Sequence, residues 1–98
     1  MAHKKFKKGQ ETHDRKVAAV AANAKAHGAR GVKVALPGHK QPPKIAGRIP
    51  DVSWKKPDGT PTIREIDTGE LIGAEKKQDK AFKEWAKQNN ADYKRLKT

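Results

Sequence analysis

Hydrophobic positions are sparse along this chain, and their spacing changes period several times. In ETHDRKVAAVAANAKAHG, Val17, Val20, Ala21 and Ala24 recur at three- and four-residue steps, the period of an amphipathic helix. Gly28 suits a helix stop, so the spacing predicts a helix over residues 11–27. GVKVALPG, residues 31–38, changes to alternation: Val32, Val34 and Leu36 share one face of a short strand that Pro-Gly ends. HKQPPKIAG is a proline-rich basic loop. RIPDVSW reads as a second strand in which Pro50 marks an edge position or a bulge. KKPDGT is a turn centred on Asp58-Gly59, PTIREIDT a third strand and GELIG a connection. AEKKQDKAFKEWAKQNN returns to helical spacing, with an inner face of Ala74, Lys77, Gln78, Ala81, Phe82 and Trp85 and an end at Asn89 and Asn90. DYKRLKT closes the chain as a short strand in which Tyr93 and Leu96 are candidate packing residues. The expected order is αβββαβ, without internal repeat or second domain. Residues 11–98 are expected to form one α/β domain behind a basic arm over residues 1–10.

Composition sharpens this outline. The 98 residues are 34% hydrophobic, so the core must be thin: one sheet with a helix or two against it. Only five residues are aromatic, and Trp54, Phe82 and Trp85 are therefore assigned to that core. There is no cysteine, which excludes disulfides, a thiol nucleophile and a cysteine-rich zinc site. No stretch is apolar enough to span or anchor in a bilayer, and no apolar run follows the basic N-terminus as in a signal peptide. The formal net charge is +12, which favours a polyanionic partner, most often nucleic acid.

That charge is unevenly distributed. Residues 1–50 carry 12 basic and 2 acidic side chains, and residues 51–98 carry 11 and 9. Five of the acids lie in GRIPDVSWKKPDGTPTIREIDTGE, residues 47–70, and two of these, Asp51 and Glu65, stand inside strand-like runs. Side chains alternate across a strand. Ile49, Asp51 and Ser53 therefore share a face of the second strand, and Ile63, Glu65 and Asp67 share a face of the third. If the two strands pair through KKPDGT, Asp51 and Glu65 meet on one face. Carboxylates so placed repel unless a cation or a proton lies between them. Hard cations such as Mg²⁺ bind through a few carboxylates and keep several waters, which suits a phosphate substrate. The plain alternative is a solvated acidic hairpin paired with Arg64 or Lys55.

Ile49-Pro50-Asp51-Val52, a hairpin, and then Arg64-Glu65-Ile66-Asp67 resemble the motif of the PD-(D/E)XK nuclease superfamily. The motif covers residues 47–70, and the element order extends the resemblance to nearly the whole chain. It implies a restriction-endonuclease-like αβββαβ core, with a small mixed sheet flanked by two helices. It also implies metal-dependent endonuclease activity, the hydrolysis of phosphodiester bonds in nucleic acid, with DNA favoured over RNA. Asp51 would match the motif aspartate and Glu65 the following acid, and both would bind Mg²⁺ or Mn²⁺. A further acid on the first helix often joins such sites, and here Asp14 is the preferred match and Glu11 the second. An acid there can equally complement the helix dipole. The family lysine is replaced by Asp67, so Lys77 or Gln78 on the second helix would act in its place, or Asp67 would be a further metal ligand. Lys77 has a plain alternative as well, a stem that packs while its head reaches solvent. Lys40, Lys44 and Arg48, which lead into IPDV, are the expected phosphate contacts.

Among small proteins of this superfamily, toxin modules at the ends of larger secreted bacterial proteins resemble this format most. Such a module would act in the cytoplasm of a target cell and have a cognate immunity protein as partner. A homodimer is also compatible with the resemblance. The contrasting expectations are a basic nucleic-acid-binding protein without chemistry and a ribonucleoprotein-associated chain, which would be disordered in isolation and would not bring Asp51 and Glu65 together. His3, His13, His27 and His39 show no tight metal-ligand spacing. His13, near Asp14, reads as a surface residue. No Ser-His-Asp arrangement, phosphate-binding loop or dinucleotide fingerprint is present.

Overall fold

The computed structural model describes the backbone of residues 8–67 and 73–97 and the side chains of residues 12–67 and 76–97. The elements run α1 (Lys8–Ala26), β1 (Arg30–Val34), β2 (Val52–Lys55), β3 (Pro61–Asp67), α2 (Gly73–Asn89) and β4 (Asp92–Lys97). This is a small α/β fold with two helices and a four-stranded mixed sheet in the order β1-β2-β3-β4. The first two pairings are antiparallel, and β4 joins β3 in parallel after the α2 crossover.

The two faces of β3 explain why the sheet has a helix on each side. Ile66 packs into a cluster with Val17, Ala21, Val34 and Val52 under α1. Ile63 packs on the other face with Ile45 and Phe82 under α2. Val20, Val32, Leu36 and Trp54 border the first cluster, and Trp85 and Tyr93 the second. Phe82 is 0% exposed and meets the Tyr93 ring edge-on, with centroids 5.6 Å apart. Trp54 and Trp85 are half-buried, so Phe82 alone of the three expected aromatics is sealed in the core.

Element ends follow local hydrogen bonding. Gly28 takes φ +88° as α1 closes, and the Ala29 N–H donates to the Ala24 carbonyl at 3.0 Å. Asn90 adopts φ +52° after α2, and the Ala91 N–H donates to Ala86 at 2.8 Å. Helix α1 begins at Lys8, so residues 8–10 of the expected arm are helical. Residues 1–7, 68–72 and 98 lie outside the described residues, as do the side chains of Glu11 and Ala74. Strand β1 stops at Val34, short of the expected Gly38; the Ala35 N–H makes one more bond toward β2, to the Asp51 carbonyl at 2.9 Å, and the Val34 N–H donates to the returning Lys40 carbonyl at 2.8 Å. Strand β2 starts at Val52, after Pro50, which has no N–H to offer a ladder. Among the described residues, no helix is long and apolar enough to cross a membrane.

Candidate active site

Where the β2–β3 ladder ends at Val52↔Arg64, two carboxylates take over the work of backbone acceptors. The Asp51 N–H donates to Glu65 Oε2 at 2.7 Å. The Ile66 N–H donates to Asp51 Oδ2 at 2.9 Å. Each acid thus caps the backbone of the strand opposite, which locks Asp51 and Glu65 side by side. The strand parity expected from the sequence accounts for the encounter. Ser53 pairs with Ile63 on the α2 face, and Asp51 and Glu65 are the next positions of that row.

The environment of Glu65 is unusual for an acid. Its residue is 6% exposed, and among the described residues no lysine or arginine forms an ion pair with it. Gln78 Nε2, from the second turn of α2, donates to Oε1 at 3.2 Å. Burial, and then the neighbouring charge of Asp51, push the Glu65 carboxyl up to about 7 from an ordinary 4.5; the Asp51 N–H and the charge of Arg95 oppose them only in part.

His13 completes the group from α1. Its Nδ1 lies 3.0 Å from Asp14 Oδ1 and its Nε2 3.2 Å from Asp51 Oδ2. A neutral imidazole has one N–H, so satisfying both acids takes the imidazolium. Burial opposes that charge, but the hydrogen bonds and charges of Asp14 and Asp51 outweigh it and raise the His13 pKa above 6.5.

Asp67 and Arg95 form a neighbouring network on the same face, where β4 pairs Arg95 with Glu65 in register. Arg95 grips Asp67 through two hydrogen bonds, Nε to Oδ2 at 2.7 Å and Nη2 to Oδ1. It also donates to the Tyr93 hydroxyl at 3.0 Å, which itself donates to Asp79 Oδ1 at 2.6 Å. Burial and the bond to Asp79 drive the Tyr93 phenol upward, so it remains a donor.

Several expected residues are placed differently. Asp14 does not join Asp51 and Glu65 directly, because the His13 ring stands between it and Asp51. Asp67 is engaged by Arg95, so serving as a metal ligand would require leaving the guanidinium. Lys77 is exposed rather than on the inner face of α2, since its direction is turned about 100° from that of Gln78, which reaches Glu65. Lys40, Lys44 and Arg48 are all exposed on the loop before Asp51. Ile45, 6% exposed, pins that loop to Ile63 and Phe82, and its bridge to Arg48 displays the cations outward.

Among the described residues, no three His, Cys, Asp or Glu side chains stand arranged to hold a metal ion. The donor set of Asp51 and Glu65 nonetheless suits a hard cation. One carboxylate is buried beside another, and Asp51 Oδ1 accepts no hydrogen bond from the described residues. Sequence reasoning missed His13 and Arg95. His13 was legible, because it stands four residues before Val17 and so continues the buried stripe of α1. Arg95 was not, because the register of a parallel pair depends on the crossover rather than on a local turn. No protein-family model, curated protein or solved structure matches the chain.

Proposed function

We propose that this chain is a small divalent-metal-dependent nuclease with Asp51 and Glu65 at its centre. The observation that carries it is the buried Glu65 carboxyl, held against Asp51 and raised to about 7 although the charge of Arg95 on β4 opposes the shift. A structural acid in such a place is normally paired, since burying an isolated charge is costly. Strongly perturbed carboxyls are more frequent where chemistry occurs. The order αβββαβ is the one that the PD-(D/E)XK resemblance implies, and the restriction-endonuclease-like core is proposed on that ground.

Asp51 and Glu65 would hold Mg²⁺ or Mn²⁺. The ion supplies Lewis acidity there, polarising a phosphoryl oxygen and making water more acidic. The chain contributes the rest. Gln78 fixes Glu65 through Oε1, and the Asp51 N–H fixes Oε2. In the metal-free protein the Glu65 carboxyl is held up to about 7, and a bound cation would favour its ionised form and so keep it as a ligand. The His13 imidazolium balances Asp51 in the metal-free protein and would be displaced or neutralised as a cation enters. Lys40, Lys44 and Arg48 would bind phosphates beside the site. DNA is the favoured polymer, and delivery as the toxin module of a larger secreted protein, opposed by an immunity protein, is a role compatible with this chemistry.

The test is cleavage of plasmid DNA and of RNA in Mg²⁺ or Mn²⁺, by wild type and by Asp51→Ala and Glu65→Ala. Metal-dependent cutting that both substitutions abolish is expected. Failure to cut either polymer with either metal would leave a basic binding protein as the better account, and cutting that survives both substitutions would move the site elsewhere.

A further inference from the structure

The α2 face of the sheet holds more than the carboxylates. Helix α2 lies along β4, and the loop residues Pro43–Ile45 flank β1 and β2 on that side. An open groove of about 350 Å³ remains there. Its floor is Ser53 and Ile63, with the loop on one side and the Trp85 ring on the other. Lys33, Lys44 and Lys55 stand around the opening, and all three are exposed.

The position of this groove relative to the carboxylates matters. Ser53 and Ile63 are paired across β2 and β3, and each is two residues from its acid, Asp51 or Glu65. Two strand residues span about 7 Å. The groove therefore opens along the same face, one side-chain step from the acids.

We propose that the groove seats a nucleobase of single-stranded nucleic acid, stacked on Trp85, with its flanking phosphates on Lys33, Lys44 and Lys55. The proposal takes the identity of the polymer from the nuclease reading and adds the strand state of the substrate. A largely apolar floor beside an aromatic wall suits the flat face of a base, and a cationic rim suits the backbone that carries it. A duplex keeps its bases stacked within itself and would offer the rim phosphates alone. The volume falls in the range of small-ligand sites and accommodates one base.

The test follows fluorescence in EDTA, so that binding is read without cleavage. Trp54→Phe leaves Trp85 as the sole tryptophan. Short oligo-dT should quench its emission, whereas a blunt duplex of equal length should not, and oligo-dT should bind at least tenfold more tightly. Trp85→Leu should weaken oligo-dT binding by roughly tenfold to a hundredfold, with Trp85→Phe retaining most of it. Lys33→Gln and Lys55→Gln should each reduce the salt slope by about 0.7. Unchanged Trp85 emission at saturation, or equal affinity for duplex, would overturn the proposal. Quenching by oligo-dT without cleavage on adding Mn²⁺ would sustain the groove and refute the nuclease. Cleavage without a Trp85 response would refute the groove alone.

Discussion

Glu65→Gln should make the metal-free protein more stable at pH 8 while destroying the proposed activity. The glutamate titrates near 7 in the folded chain and near 4.5 without its folded surroundings. Below 4.5 both states hold the proton, and the favourable contribution of the neutral, buried acid is fully present. Between 4.5 and about 7 the unfolded chain releases its proton while the folded chain keeps it, so stability falls as pH rises. Above 7 the loss is complete. At about 1.4 kcal/mol per pH unit, that interval corresponds to about 3 kcal/mol. Glutamine keeps an oxygen for the Asp51 N–H, and Gln78 can rotate its amide to accept from the new side-chain NH₂. Urea or thermal unfolding of both proteins in EDTA, at several pH values from 4.5 to 8, gives the difference directly. The two should agree within about 1 kcal/mol at pH 4.5 and separate by up to about 3 at pH 8, with the substituted chain melting up to about 12–24 °C higher, at about 4–8 °C per kcal/mol. Mn²⁺ should raise the melting temperature of wild type and leave that of Glu65→Gln unchanged. Parallel stability curves over the whole range would refute the reasoning, because they would mean that the carboxyl is not buried at a cost.

Three further outcomes are expected. Arg95→Ala leaves Asp67, whose side chain is 11% exposed, without its guanidinium, and should lower the urea-derived stability by about 3 kcal/mol; a change under about 1 would mean that solvent already screens the pair. Gln78→Ala should reduce metal-dependent cleavage by about tenfold to a hundredfold through loss of the Glu65 contact, whereas Lys77→Ala should stay within about twofold of wild type; the reverse order would return the role to Lys77. The His13 ring, followed by NMR, should titrate above 6.5, and Asp51→Asn should lower its midpoint; a midpoint at or below 6.5 would contradict the bridge to both acids.

Particular residues show why some of this was legible in advance. Val17, Ala21 and Ala24 are buried as their spacing predicts, since one helix face must serve the sheet. Asp51 and Glu65 meet because a short turn fixes hairpin register, and register fixes side-chain parity. Lys77 was misjudged by one helical position: a stripe read from Phe82 and Trp85 is wide enough to include its flank, and only packing decides where the stripe ends. The early stop of β1 at Val34 accompanies the return of Lys40, whose carbonyl accepts from the Val34 N–H, a contact that no local spacing signals. The Asp67–Arg95 pair depends likewise on where the α2 crossover sets β4 down. That pair explains the position where the resemblance asks for a lysine: Asp67 answers an arginine on the next strand.

A crystal structure of the protein soaked with Mn²⁺, recorded for the anomalous signal of the metal, tests the central claim most directly. The account predicts one strong peak bound by carboxylate oxygens of both Asp51 and Glu65, at about 2.1 Å, with His13 turned away from Asp51 or ligating the ion. A peak elsewhere, or none at a Mn²⁺ concentration that supports cleavage, would contradict it.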